Sequence, residues 1–428
     1  MTFAVIAMLC TLFVLLFAKV PVFLSVFGAA AVYFLLTPGL NAAIFAQQAI
    51  TGTESIPLLA IPFFVAAGVL MNSAGVTQRI MDLAIVLTGR LRGGLAQVNV
   101  VLSLLMGGLS GSALADAAMQ SKILVPAMVK QGISRTFSSV LTAASSIITP
   151  LIPPGIGLII YGSIAHVSIG KLFIAGIVPG ALLAIVMMIF VSRISKRRGY
   201  EPLRTTRPKV REIGTPLRHA ILPLCLPVII IGGIRFGIFT TTEAGAVAVI
   251  YVVLLGLFYR KLRARDLLGG LKETIVTTAS ILLIIAAAAT FSWILTREMI
   301  PQQFSQLIVG SIHNEWLFLL AVGAFLLIVG MFIEGNATMI VLVPLFAPIA
   351  AAFGLDPIHF AMVFIFANTV GAFTPPVGTL MFVVNGITKT KTADFIREAV
   401  PFYVLFGGFL LLLMFVPQLS TVLVDLLY

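Results

Sequence analysis

The chain of 428 residues is 60% hydrophobic and only 10% charged, with a formal net charge of +12 and a mean hydropathy of +1.14. About a quarter of the residues in a soluble domain are charged, so this composition excludes a globular enzyme and describes a chain that crosses a bilayer many times. The basic residues gather in short loops between apolar runs, as topology signals do, so no nucleic-acid partner is expected.

In chain order, residues 2–18 and 21–37 are apolar runs separated by Lys19 and Pro21. The first lacks a basic leader and a small-residue cleavage site, so it reads as a retained helix. Residues 38–55 suit a short helix lying along the membrane, 56–72 span it, and 76–94 are interfacial. Residues 95–130 hold two apolar helical runs around a Gly/Ser/Asp cluster running from Gly107 to Asp116. Residues 134–166 form one long run broken at Pro153-Pro154, and 171–192 span again. A basic linker over 193–219 divides a first repeat (1–192) from a second (220–428).

The second half repeats the order of the first. Apolar runs at 220–234 and 242–259 precede a short amphipathic 262–275, an apolar 276–296 and an interfacial 299–312. Two runs around a Gly335-Asn336 break (315–352), a broken run (357–388) and a last span (398–427) complete it. Aligning the double prolines sets Pro153-Pro154 over Pro375-Pro376 and Ser146 over Asn368; Val125-Pro126 and Val343-Pro344 nearly coincide.

Charge tests the topology. With the linker in the cytoplasm, 95–130 and 315–352 as re-entrant hairpins, and each broken run as one crossing, all of the 27 Lys and Arg except Lys171, Arg235 and Arg297 fall on the cytoplasmic side. The first hairpin then opens inward and the second outward, the halves are inverted repeats, and both termini face outward. The expected fold is an all-α polytopic membrane protein of two inverted-topology repeats, each with a re-entrant helical hairpin and a proline-broken transmembrane helix.

Interrupted helices at membrane depth are tolerated only where they are buried in protein or line a wet cavity, and paired interruptions mark transporter sites. Ser110, Gly111 and Ser112 at the first tip offer hydroxyls and accessible backbone; Gly335, Asn336 and Thr338 do so at the second. Each tip is expected to face its own broken helix. Thr149, Pro150, Pro153 and Gly155 then join the first tip, and Asn368, Gly371, Thr374 and Gly378 join the second, as two sodium sites built from oxygen ligands. The competing reading is that these small residues merely let helices pack closely. Asp116 and Glu334 are the carboxylates beside the tips, each a ligand or a helix cap, with capping favoured for Asp116. Glu243 reads as a helix cap. Arg235 and Arg297 face outward, as docking residues for a protein or as interfacial anchors. Lys122 has no assigned role. Cys10 and Cys225 read as packing residues, the four histidines form no metal cluster, and no set of nucleophile, base and orienting group supports an enzyme.

At GLSGSALADAAMQSKILVPAMVKQG, TPLIPPGIGLIIYG, GIFTTTEAGAVA and NTVGAFTPPVGTLMF the chain resembles the large membrane subunit of the tripartite ATP-independent periplasmic (TRAP) transporters, over essentially its whole length. Thr241 stands where that family usually has proline, on a scaffold helix. The resemblance implies sodium-coupled uptake of an organic acid, of the sialic acid or C4-dicarboxylate class, across the bacterial inner membrane by an elevator motion. The transport domain would comprise 77–192 and 299–388, the scaffold 2–72 and 220–296. The implied substrate contacts are the two tips with Asp116, Pro154 and Pro376. The implied partners are a soluble periplasmic binding protein and a small four-helix membrane subunit, expected as a separate polypeptide. A stand-alone carboxylate transporter or cation antiporter is the competing function, and a channel or structural membrane subunit the third.

Overall fold

The computed structural model describes residues 2–18, 20–206, 210–300, 302–303 and 314–428. Among these the secondary structure is helical, with no strand. Seven helices are long and apolar enough to cross a membrane, and Arg135–Leu151 with Ile156–Ala165, a pair bent by 45°, would make an eighth if it is one span. The protein is an all-α polytopic membrane protein.

One group of helices contains α1 (Phe3–Phe17), α2 (Val22–Leu36), α3 (Ala42–Thr53), α4 (Ala60–Ser73), α11 (Val210–Arg235), α12 (Thr241–Phe258) and α13 (Ala264–Arg297). Here α1 packs on α2, α4 on α12, and α13 runs across α2, α3 and α4. The separate 262–275 and 276–296 segments are one continuous helix. Gly269-Gly270 does not interrupt it, although glycine costs about 1 kcal/mol in a helix interior. Its packing supplies the reason: a Cβ on Gly270 would sit 2.8 Å from Leu70 Cδ2, so the bare backbone lets α13 lie close to α4. The linker also differs from expectation. Helix α10 (Ile169–Arg198) extends into it and α11 begins at Val210, leaving 199–206 as the described non-helical part. Arg198 is held there by an ion pair with Glu398 at 2.6 Å.

Between these lies α5 (Val76–Thr88), which packs on both α11 and α6 (Leu95–Ser110). The second group joins α6, α7 (Ala113–Lys130), α8 (Arg135–Ser145), the 3₁₀ turns Ser146–Leu151, α9 (Ile156–Ala165) and α10 to α14 (Glu315–Gly330), α15 (Gly335–Ala352), α16 (Pro357–Phe373), α17 (Thr379–Thr388) and α18 (Thr392–Phe415). The last predicted span ends early, because Val416 and Pro417 separate α18 from α19 (Gln418–Leu427). Proline at that point cannot continue the preceding ladder of hydrogen bonds. The interfacial segment at 299–312 lies largely outside the described residues.

Each broken run is shared between the halves. Helix α9 packs on α15, and α17 packs on α7 and α8. Phe373 at the end of α16 is fully buried, with ring centroids 5.8 Å from Phe395 and 5.6 Å from Phe406. Where α10 passes the first break, a Cβ on Gly176 would fall 1.9 Å from the Leu151 carbonyl oxygen. Gly176→Ala is therefore expected to destabilise the protein by about 1–3 kcal/mol, the usual cost of overpacking. Thermal denaturation of the purified protein in detergent checks this, and an unchanged melting temperature would contradict the close contact.

Candidate functional site

The first tip is narrower than the Gly/Ser cluster that announces it. Helix α6 continues through Gly107 and Gly108 to Ser110, and the turn is confined to Gly111 and Ser112. Gly111 has a left-handed φ of 59°, open to glycine at no steric cost. A Cβ there would lie 2.6 Å from the Pro154 carbonyl oxygen, so only glycine lets the tip seat on the broken helix. The seat is backbone to backbone: Ile156 N–H donates to the Gly111 carbonyl at 3.3 Å.

Ser112, not Asp116, caps α7, its Oγ accepting from Ala115 N at 3.4 Å. This overturns the capping reading of Asp116. One turn further on, Asp116 is buried, and its Oδ2 accepts from Gln120 Nε2 at 2.8 Å and from Thr149 Oγ1 at 2.9 Å. Gln120 Nε2 also reaches Ser103 Oγ at 2.7 Å. Asp116 thus ties the returning arm of the hairpin to α6 and to the 3₁₀ turns.

The second tip lies upstream of its expected place. Helix α14 ends at Gly330, residues 331–334 form the turn, and Gly335 and Asn336 are already the first turn of α15. Glu334 caps that helix, accepting from Ala337 N at 3.1 Å. Gly378 N–H donates to the Met331 carbonyl at 2.8 Å, and Gly378 has a φ of 54°. Asn368 Nδ2 donates to the Gly335 carbonyl at 2.7 Å, leaving its buried Oδ1 without a protein partner. Below the tip Gly330 and Gly371 meet so closely that a Cβ on either would come within 3.0 Å of the other's backbone. Thr338 Oγ1 and Thr374 Oγ1 bond to carbonyls of their own chain segments, Glu334 and Val370.

Between the two seated tips is a crevice of about 50 Å³. Of the predicted residues it brings together Gly111, Ser112, Pro150, Gly335, Asn336 and Asn368. Ser110, Asp116, Thr149, Pro153, Pro154, Gly155, Thr338, Gly371, Thr374, Pro376 and Gly378 are not among the lining residues. Ser110 Oγ is buried without a partner. The lining also includes Glu334 and residues that sequence reasoning missed, notably Thr369, Met339 and Thr379, whose buried Oγ1 has no partner. Thr379 falls opposite Gly157 when the double prolines are aligned, and both residues line the crevice.

The first residues of α7 (Ala113, Leu114), α9 (Ile156, Gly157), α15 (Gly335, Asn336) and α17 (Thr379, Leu380) all line this crevice. A helix N-terminus carries roughly half a positive charge and unpaired N–H groups, the means by which proteins bind carboxylates without a basic side chain. From the C-terminal ends of interrupted helices, Gly111, Pro150 and Ala372 reach the same lining. Among the described residues no three His, Cys, Asp or Glu come together, so a cation here would find carbonyl, amide and hydroxyl oxygens beside the single Glu334 carboxylate.

Away from the crevice, the Arg235 guanidinium lies 4.7 Å from the centroid of the Tyr428 ring, with Lys171 Nζ at 5.6 Å from it, and Arg297 lies 5.4 Å from that of Trp293. Glu243 caps α12 together with Thr240, as expected. Glu298, beside Arg297, accepts from Thr2 and Tyr33 and so ties the end of α13 to α1 and α2.

Residues 9–419 match the family described as tripartite ATP-independent periplasmic transporter, DctM component. The chain is 40% identical over 415 residues to the sialic acid TRAP transporter large permease protein SiaM of Vibrio cholerae, covering 96% of each chain. It is 37% identical to the C4-dicarboxylate TRAP transporter large permease protein DctM of Pseudomonas aeruginosa, covering 86% of each. Its fold resembles the YdaH transporter of Alcanivorax borkumensis, with a TM-score of 0.64 at 15% identity over 95% of this chain and 98% of that one. The chain is therefore a transporter permease and not an enzyme, and it belongs to the DctM component family of the tripartite ATP-independent periplasmic transporters.

Proposed function

We propose that this chain is the large membrane subunit of a sodium-coupled secondary transporter that takes up an organic acid of the sialic acid or C4-dicarboxylate class. The observation that carries the reading is the convergence of four half-helix N-termini on one crevice between two seated tips. Their dipoles suit a carboxylate. The lining holds Glu334 and no Lys, Arg or His, so a bound organic anion needs cations beside it to balance charge at membrane depth. That requirement is a physical basis for sodium coupling. Asn368 Oδ1 and Thr379 Oγ1, with neighbouring backbone carbonyls, are the ligands of suitable hardness.

Sites for organic ligands occupy about 300–1,000 Å³, so the crevice must widen before it admits substrate. The backbone bond seating each tip is worth only about 0.5–1.5 kcal/mol net. Separation of a tip from its break is the local gate in this proposal. The larger motion is an elevator displacement of the hairpin group against the group built on α13, with the two halves as inverted repeats. The protein sits in the bacterial inner membrane with its termini in the periplasm. A periplasmic binding protein delivers substrate, docking near Arg235 and Arg297, and a small four-helix membrane subunit completes the assembly. Relatives with sialic acid and C4-dicarboxylate in their names support the substrate class.

Reconstituted with the small subunit in proteoliposomes, the protein is expected to take up sialic acid only when an inward sodium gradient and loaded binding protein are both supplied. Uptake driven equally by potassium would remove sodium from the mechanism, and uptake of free substrate would remove the binding protein. Asn336→Leu, which puts a branched apolar side chain into the crevice, is expected to abolish this uptake at an unchanged melting temperature. Asn368→Ala removes both the Gly335 anchor and a ligand oxygen. Its sodium half-saturation should rise about tenfold, the equivalent of one lost interaction of 1.4 kcal/mol; wild-type sodium dependence in this variant would refute the assigned ligand.

A further inference from the structure

A second recess, of about 590 Å³, opens on the side that the charge pattern assigns to the cytoplasm, and the transport reading does not use it. Lys122 and Lys130 of α7, Arg135 at the start of α8 and Lys389 at the end of α17 line it. All four are exposed, and among the described residues none is within ion-pair distance of a carboxylate. Two of these charges have a local explanation. Lys130 lies in the last turn of α7 and Lys389 caps α17, where the negative end of a helix dipole favours a cation. Lys122 and Arg135 have none. Lys122 is in mid-helix, about 12 Å along the axis from Lys130 at 1.5 Å per residue. Arg135 is the first residue of α8, where the dipole opposes a positive charge.

The walls of the recess are apolar, chiefly Val125, Val129 and Ile387. Exposed apolar side chains continue from its rim, Ile123 beside Lys122 and Phe382 two turns from Lys389. Ser121 adds a buried hydroxyl without a partner, facing the same space. A basic rim over an apolar wall that runs on into lipid-facing surface complements a molecule with an anionic head and a hydrocarbon tail. A soluble organic acid would leave that wall wet.

We infer that this recess binds an anionic phospholipid, its phosphate held by Lys122 and Arg135 and its acyl chain lying along Val125 and Val129. The site does not depend on the transported substrate or on sodium. Each basic residue near a membrane surface contributes about 1 kcal/mol to attraction of anionic lipid, so removing two is expected to weaken binding tenfold or more. Native mass spectrometry of the full chain, given equal amounts of phosphatidylglycerol and phosphatidylcholine, measures this. The wild type should retain phosphatidylglycerol preferentially, and Lys122→Gln/Arg135→Gln should lose the preference. Arg265→Gln/Lys272→Gln, on exposed positions of α13, should keep it. If the double variant is unfolded by its melting temperature, Lys122→Met with Lys122→Arg as its charge-preserving counterpart makes the same comparison. Equal lipid retention by wild type and the site variant would overturn the inference, as would displacement of the lipid by sialic acid, which would mark a soluble-anion site.

Discussion

Unpaired backbone groups are intolerable in hydrocarbon, and the centre of this protein is arranged around that constraint. Each interrupted helix frees carbonyls and amides at membrane depth. The structure satisfies them by seating one interruption on another: Ile156 N–H on the Gly111 carbonyl, Gly378 N–H on the Met331 carbonyl. Neither a hairpin tip nor a proline break is complete without its partner. Glycine is required where the two backbones touch, because a side chain at Gly111 or Gly371 would fill the space that the partner's main chain occupies.

The same seating determines what the centre can do. Helices that stop in mid-membrane present their ends, and here four N-terminal ends face one crevice while carbonyl ends stand beside them. Positive and negative partial charge are thereby supplied without the desolvation cost of burying full charges. The carboxylates near the tips take different parts. Asp116 is spent on Gln120 and Thr149 inside the helical core, whereas Glu334 caps α15 at the edge of the crevice.

Packing across the halves joins these parts into one body. The outer piece of each broken helix lies against the hairpin of the other half, α9 on α15 and α17 on α7. The group built on α13 meets these helices as well, α13 packing on α15 and α4 on α6 and α9.

Much of this was legible in the residue order. Apolar runs of spanning length, the double prolines and the Gly/Ser tips identified the helical class, both interruptions of each half and the family, because solvent exclusion by lipid acts on local composition directly. Element ends were less legible. The division expected at 275/276 is absent, because α13 runs unbroken from Ala264 to Arg297 with Gly270 packed closely on Leu70. The second tip moved to 331–334 because the Glu334 side chain could cap a helix beginning at Gly335. Which of two acids caps and which is buried was decided by neighbours 33 residues away in the case of Asp116 and Thr149. The residues that share the crevice, Thr379 and Thr369 among them, are brought together by contacts between distant segments. The sequence by itself determined the helical membrane class and the two proline breaks, since those depend on local hydropathy and backbone chemistry; only the tertiary structure decided the exact helix ends and which broken ends face one another, since those depend on long-range packing and backbone pairing.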